Sequence, residues 1–253
     1  MNHKNLFSRL IILVGTLTAS EILPANAADN MPASVSTAKQ SSTEIAIKKA
    51  LGSRANIESV IKTPYSGLYE VSMGNEIIYT DEKAQYIFMG NIINTSASVN
   101  YTQQRIDELN RVNLSELPLS LAIKTVKGNG KRVITTFEDP NCGPCKQLRK
   151  NLHEIDNITI YTFMYNVIAE TSAGMAKNIW CASNKEKAWD EWMVNGVTPA
   201  ATPASCAFQN EKILALGEKL NIKGTPAIIF ADGSRAPGVI SAKMLKEKFA
   251  SLK

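Results

Sequence analysis

The chain has 253 residues, with 28 Lys and Arg against 23 Asp and Glu, a formal charge of +5, four Cys and two His. The length suits one large domain or two small ones. The basic excess forms no dense Lys/Arg block and no aromatic–basic interleaving, which argues against nucleic acid as a partner. Two histidines leave little room for His-based metal sites or a Cys–His nucleophile pair.

Residues 1–27 read as an export leader. Lys4 and Arg9 make a basic start, Leu10 to Ala19 is a short apolar run, and Ala25-Asn26-Ala27 offers the small residues a signal peptidase needs. The apolar run is too short to cross a bilayer of about 30 Å. A cleaved leader of this kind places the remainder in a bacterial periplasm. Residues 28–42 are small and polar and predict a flexible arm.

Residues 43–100 predict a small α+β domain. Ser42 or Thr43 caps a helix over Glu44 to Leu51, with Ile45, Ala46 and Ala50 on its apolar side and Gly52 ending it. Three strand-like runs follow, Gly67 to Met73, Glu76 to Thr80 and Tyr86 to Ile93, with turns at Gly74-Asn75 and Asp81-Glu82-Lys83. About 60 residues make a marginal core alone, so this domain is expected to complete itself against a second copy. Residues 101–118 predict a linker helix. Ile106, Leu109, Val112 or Asn113, and Leu117 give it a thin apolar face, and Pro118 stops it.

Residues 119–253 change character. Val133 to Phe137 is a strand, Cys145 to Leu152 a helix, and Ile158 to Val167 another strand. Helices are predicted over Ala173 to Ala182, Lys185 to Met193 and Glu211 to Leu220, the last ended by Asn221. Ala227 to Phe230 is a strand, Asp232-Gly233 a hairpin turn, Pro237 to Ile240 a short strand, and Lys243 to Leu252 a closing helix. Strand, helix, strand, then helices and a hairpin describe an α/β fold.

All four cysteines lie in this half. Cys142 and Cys145 form a Cys-x-x-Cys between a strand and a helix. A sulfur at a helix N-terminus is stabilised as thiolate by unpaired N–H groups and the helix dipole, so Cys142 is the candidate nucleophile. Cys145, one turn in, is shielded and placed to resolve a mixed disulfide. Gly143 allows close approach, and Pro144 fits the first turn, where its missing N–H costs nothing. Zinc held by four cysteines needs a second closely spaced pair, which Cys181 and Cys206 are not. No metal or other cofactor is called for.

Downstream, Gly224-Thr225-Pro226 leads into the strand AIIF, and Pro226 is a candidate cis-proline. In a thioredoxin fold such a loop faces the active-site sulfurs and offers backbone groups to an extended peptide, so Thr225 and Pro226 are candidate substrate-binding residues. Cys181 and Cys206 sit in apolar surroundings away from any helix-start Cys-x-x-Cys. A structural disulfide between them is favoured over a second redox centre.

The stretches FEDPNCGPC, IWCASNKEKAWDEWM, PASC and GTPAIIF together resemble the periplasmic protein disulfide isomerases of the DsbC/DsbG family. The resemblance implies a C-terminal thioredoxin fold with a helical insertion, an N-terminal dimerisation domain, and a homodimer whose uncharged cleft holds misfolded or mis-oxidised exported proteins. It also implies a DsbD-like membrane reductase that keeps the cysteines reduced. The alternatives are a dedicated reductase for one partner and a cleft-based chaperone. Two departures stand out. Where the family's isomerases commonly carry Tyr between the cysteines, this chain has Pro144. Where cytosolic thioredoxins carry a buried acid six residues before the first Cys, it has Thr136. Glu138 and Asp139 are expected on a loop.

Overall fold

The computed structural model describes residues 41–52, 56–74, 76–203 and 205–252. The predicted leader, the arm up to residue 40, and Asn75 of the predicted turn lie outside the described residues.

Helix α1 spans Ser42–Leu51. It is capped by Ser41, whose hydroxyl accepts from Glu44 N at 3.1 Å, and it ends at Gly52 with φ +80°. Residues 41 and 42 therefore belong to this helix and not to the arm. Its inward residue is Ile47, fully buried against Tyr69 and Val71, while Ile45 is exposed. The sheet behind it runs in the order β1 (Ser59–Lys62), β2 (Tyr69–Met73), β3 (Glu76–Thr80) and β4 (Ile87–Phe88), all antiparallel. Strand β1 was not legible as a strand. The third predicted strand is broken: β4 keeps only two residues, and Ile93–Asn94 (β5) pairs instead with Val99–Asn100 (β6). Gly90, at φ +149°, separates the two pieces.

Helix α2, Tyr101–Leu109, covers the other face of this sheet. Tyr79 Oη and Thr102 Oγ1 share a buried hydrogen bond of 2.6 Å, and Arg105 pairs with Glu70 at 3.0 Å. The linker helix was expected to continue to Leu117, but it stops at Leu109. The next backbone groups are taken by another element: Val112 N donates to Gly233 O at 3.0 Å, and Arg235 Nε donates to Asn110 O at 2.6 Å. Val112 and Leu117 are thereby buried in the C-terminal core.

That core surrounds a five-stranded sheet. Its order is β11 (Arg235–Pro237), β10 (Ala227–Phe230), β8 (Arg132–Glu138), β9 (Ile158–Met164) and β7 (Ile123–Lys127). Strands β8 and β9 are parallel and joined through α3 (Gly143–His153); β10 and β7 run antiparallel to their neighbours. The period of two sorts the side chains by face. Ile134, Ile158, Ile160, Ile228 and Phe230 meet α3 and α7 (Ala242–Ser251). Phe137, Phe163 and Ile229 meet α6 (Asn210–Lys219) and the linker segment. Edge strand β7 was missed, and β11 lies two residues earlier than the predicted Pro237 to Ile240.

Between β9 and α6 lie α4 (Ser172–Trp180) and α5 (Lys185–Asp190), the latter continued without a break by a wider, π-helical turn over Glu191–Asn195, so the helical stretch reaches past the expected Met193. Trp189 and Met193 from this insertion pack with Met164, Ile179, Cys142 and Cys145 in one cluster. The site is thus covered on one side by the insertion.

Candidate active site

Strand β8 runs to Glu138, and Asp139, Pro140 and Asn141 turn the chain into α3. Cys142 is the N-cap residue. Its sulfur accepts from Cys145 N at 3.2 Å, the bond a serine or aspartate oxygen makes in the same place. Its own N–H donates to Asp139 O at 3.1 Å. Its thiol faces Thr225 O at 3.4 Å, across a cis Thr225–Pro226 bond. Gly143 and Pro144 are exposed in the first turn. The structure thus brings together Cys142, Gly143, Pro144, Cys145, Thr225 and Pro226, four from one turn and two from a loop some eighty residues on.

Cys142 is 3% exposed and Cys145 fully buried. Burial, and then the nearby charge of Glu138, pushes the Cys145 thiol far above its ordinary value. Two thiols so placed, one at a helix N-terminus and one a turn inside, can cycle between dithiol and disulfide. Cys181 and Cys206 are joined by a disulfide with a Cα–Cα distance of 6.2 Å. Beside it Trp180 packs on Phe208 at 5.9 Å.

A family model for a thioredoxin-like domain matches residues 119–253, and one for a disulfide bond isomerase N-terminal domain matches residues 31–103. Over 193 residues the chain is 44% identical to a probable thiol:disulfide interchange protein DsbC of Bordetella parapertussis, covering 76% of this chain and 68% of that one. It is 29% identical over 190 residues to thiol:disulfide interchange protein DsbC of Escherichia coli K12, covering 73% and 77%. A disulfide interchange protein structure from Neisseria gonorrhoeae superposes with a TM-score of 0.51 at 31% identity, over 53% of this chain and 96% of that one.

The chain belongs to the DsbC family. Its fold is the mixed α/β thioredoxin-like fold with a DsbC N-terminal domain.

Against the family's cysteine pair, this DsbC relative sets two acids that the sequence reading placed on a loop. Glu138 instead closes β8 and is fully buried. It accepts from Thr136 Oγ1 at 2.6 Å and lies 4.0 Å from buried Arg149, which reaches Asp190 at 3.9 Å. Loss of water raises its carboxyl above the usual range, against the pull of Arg149 and Thr136. Asp139 is also fully buried, but on the other side of the turn. Trp192 Nε1 donates to Pro140 O at 2.7 Å and so ties the insertion to the turn. The signal for Glu138 was present: strand alternation puts residues 134, 136 and 138 on one face.

Proposed function

We propose that this protein is a periplasmic thiol–disulfide interchange protein that isomerises or reduces incorrect disulfides in exported proteins. The observation that carries the reading is the setting of Cys142: an N-cap sulfur facing the Thr225–Pro226 loop, with Cys145 buried behind it. A reduced Cys142 attacks a wrong disulfide. One substrate sulfur bonds to Cys142 and the other leaves as thiolate. The mixed disulfide then has two exits. A second substrate thiolate can displace Cys142, which rearranges the substrate. Alternatively, Cys145 can attack Cys142, which releases a reduced substrate and leaves the pair oxidised. The second exit needs the Cys145 thiol to lose its proton, which burial and Glu138 oppose. A slow second exit prolongs the life of the mixed disulfide and favours isomerisation.

In this reading Thr225 and Pro226 hold substrate, Gly143 and Pro144 shape the loop, and Cys181–Cys206 staples the insertion. Residues 41–100, two more than expected at the start, form the dimerisation domain, 101–118 the linker and 119–253 the catalytic domain. Residues 1–27 direct export, and a DsbD-like membrane reductase restores the dithiol. Among the described residues no helix is long and apolar enough to cross a membrane.

The test is a pair of variants. Cys145→Ser is expected to accumulate a covalent complex with a scrambled disulfide protein, joined through Cys142. Cys142→Ser is expected to form none and to reactivate nothing. Reactivation by Cys142→Ser at the parent's rate would leave a chaperone, not an exchange enzyme.

A further inference from the structure

Disulfide exchange at Cys142 does not itself require Asp139, yet this carboxylate is fully buried and accepts four hydrogen bonds. Oδ1 accepts from Asn141 N and Ser172 Oγ, each at 2.8 Å. Oδ2 accepts from Val167 N at 2.8 Å and Ile168 N at 2.9 Å. All four donors are neutral. Burying a carboxylate is tolerated when hydrogen bonds replace its water, and bonds to a charged acceptor are the strong ones. Asp139 therefore clamps three segments: the turn before Cys142, the loop after β9, and the start of α4. Asn141 adds a second tie, its Nδ2 donating to Ser172 Oγ at 3.0 Å and Thr171 Oγ1 at 3.1 Å.

The clamp has a consequence at the surface. With the N–H groups of Val167 and Ile168 turned in to Asp139, their side chains stand out, 46% and 53% exposed. Single exposed apolar residues need no explanation. Here two adjacent β-branched side chains sit on backbone held rigid by a buried carboxylate, three residues before the nucleophile. We propose that Val167 and Ile168 form an apolar docking step for the polypeptide substrate beside Cys142, and that Asp139 is the positioning residue that keeps this step in register with the sulfur. The inference rests on the reading that Cys142 exchanges disulfides.

The occupant is an extended, misfolded polypeptide whose half-cystine is flanked by apolar side chains. Cysteine and its apolar neighbours are among the most buried residues of folded proteins. Misfolding brings them to an external sulfur together far more often than the folded state does. An apolar step tied through Asp139 to the attacking turn thus favours the substrates that need repair. The bonds made and broken at Cys142 are unchanged; the step acts on capture.

The test compares two disulfides with the reduced protein. One is glutathione disulfide, small and polar. The other is a short peptide disulfide with leucine on each side of both half-cystines. The readout is the ratio of the peptide rate constant to the glutathione rate constant, followed by rapid quench. In Val167→Ser/Ile168→Ser, where both backbone bonds to Asp139 survive, this ratio is expected to fall about tenfold, the size expected from losing part of two buried aliphatic side chains. Ser172→Ala, which removes one donor from Asp139 and leaves the apolar step intact, is expected to lower the same ratio by a smaller factor. A double variant whose ratio stays within about twofold of the parent's overturns the docking step. A lowered ratio in the double variant with a parental ratio in Ser172→Ala overturns the role of Asp139. A parent inert toward glutathione disulfide sinks the exchange reading instead.

Discussion

Glu138 and Asp139 are neighbours in sequence, both fully buried, and solvated by the protein in opposite ways. Asp139 has four neutral donors. Glu138 has one hydroxyl and an arginine 4.0 Å away, and its second oxygen has no hydrogen-bond partner. Its carboxyl is accordingly raised above the ordinary 4.5. The folded chain then keeps a proton that the unfolded chain loses, so this residue's contribution to stability falls as pH rises from about 4.5 toward the raised folded value. Glu138→Gln cannot titrate. The parent's unfolding free energy minus the variant's should decline over that window, as urea titrations at successive pH values would record. Arg149, with Asp190 and His153 beyond it, is common to both proteins, and the Cys145 thiol stays protonated there. A difference that does not change with pH would remove the buried-acid account.

At the scale of elements, helix α6 meets β9 through a glycine. A Cβ at Gly217 would run into the ring of Tyr165, which is itself buried and packed edge-on against Phe137 at 6.0 Å. Gly217→Ala should therefore lose about 1–3 kcal/mol through overpacking, although alanine is the better helix former by about 1 kcal/mol. Gly174, within α4, has open space where its Cβ would lie, and Gly174→Ala should gain up to about 1 kcal/mol. Thermal unfolding of the two variants should move in opposite directions; the same direction in both would mean that propensity, not packing, governs. The insertion is closed by Cys181–Cys206, 25 residues apart. In the chain-entropy model a loop of that length is worth about 3.5 kcal/mol. Cys181→Ala/Cys206→Ala should lose about that much in urea while Cys142 still reacts with a thiol reagent. An unchanged midpoint would show that the insertion needs no staple.

For the whole molecule, the telling feature is the open edge of the N-terminal sheet. Tyr86, Ile87, Phe88 and Met89 are 67%, 53%, 50% and 82% exposed, along a strand paired on one side only. Apolar edges of this kind recruit another strand, and a second copy of the chain fits the proposed dimer. Gly90 follows at φ +149° with free space around it. Gly90→Arg would bring two charges together across a two-fold contact. Sedimentation should show a folded monomer that reduces disulfides but isomerises poorly. Met89→Glu, which leaves the backbone conformation unstrained, should give the same shift. Either variant remaining folded and dimeric would move the interface elsewhere.

Much of this fold was written locally. The Cys-x-x-Cys between strand and helix, the proline before AIIF, the Asp232-Gly233 turn and the apolar and β-branched runs of β8, β9 and β10 depend on residues a few positions apart, and sequence alone determined them. The site's two halves were also legible, because Cys142 starts a helix and Pro226 enters a strand. Other features depended on distant partners. Thr102 to Leu117 has helical spacing throughout, yet Gly233 and Arg235 claim its backbone after Leu109. Tyr86 to Ile93 has the composition of one strand, but only Ile87 and Phe88 find partners on β3. Ile123 to Lys127 has no element assigned to it from the sequence and becomes a strand because β9 offers it an edge. Glu138 and Asp139 look like loop acids, since charged residues are seldom fully buried without partners. Only the tertiary structure supplies Arg149 to one, beside its strand neighbour Thr136, and the N–H groups of residues 167 and 168 to the other. Turns and caps are settled by near neighbours, whereas the end of α2, burial, strand pairing and the solvation of a charge are settled by whatever the fold brings alongside.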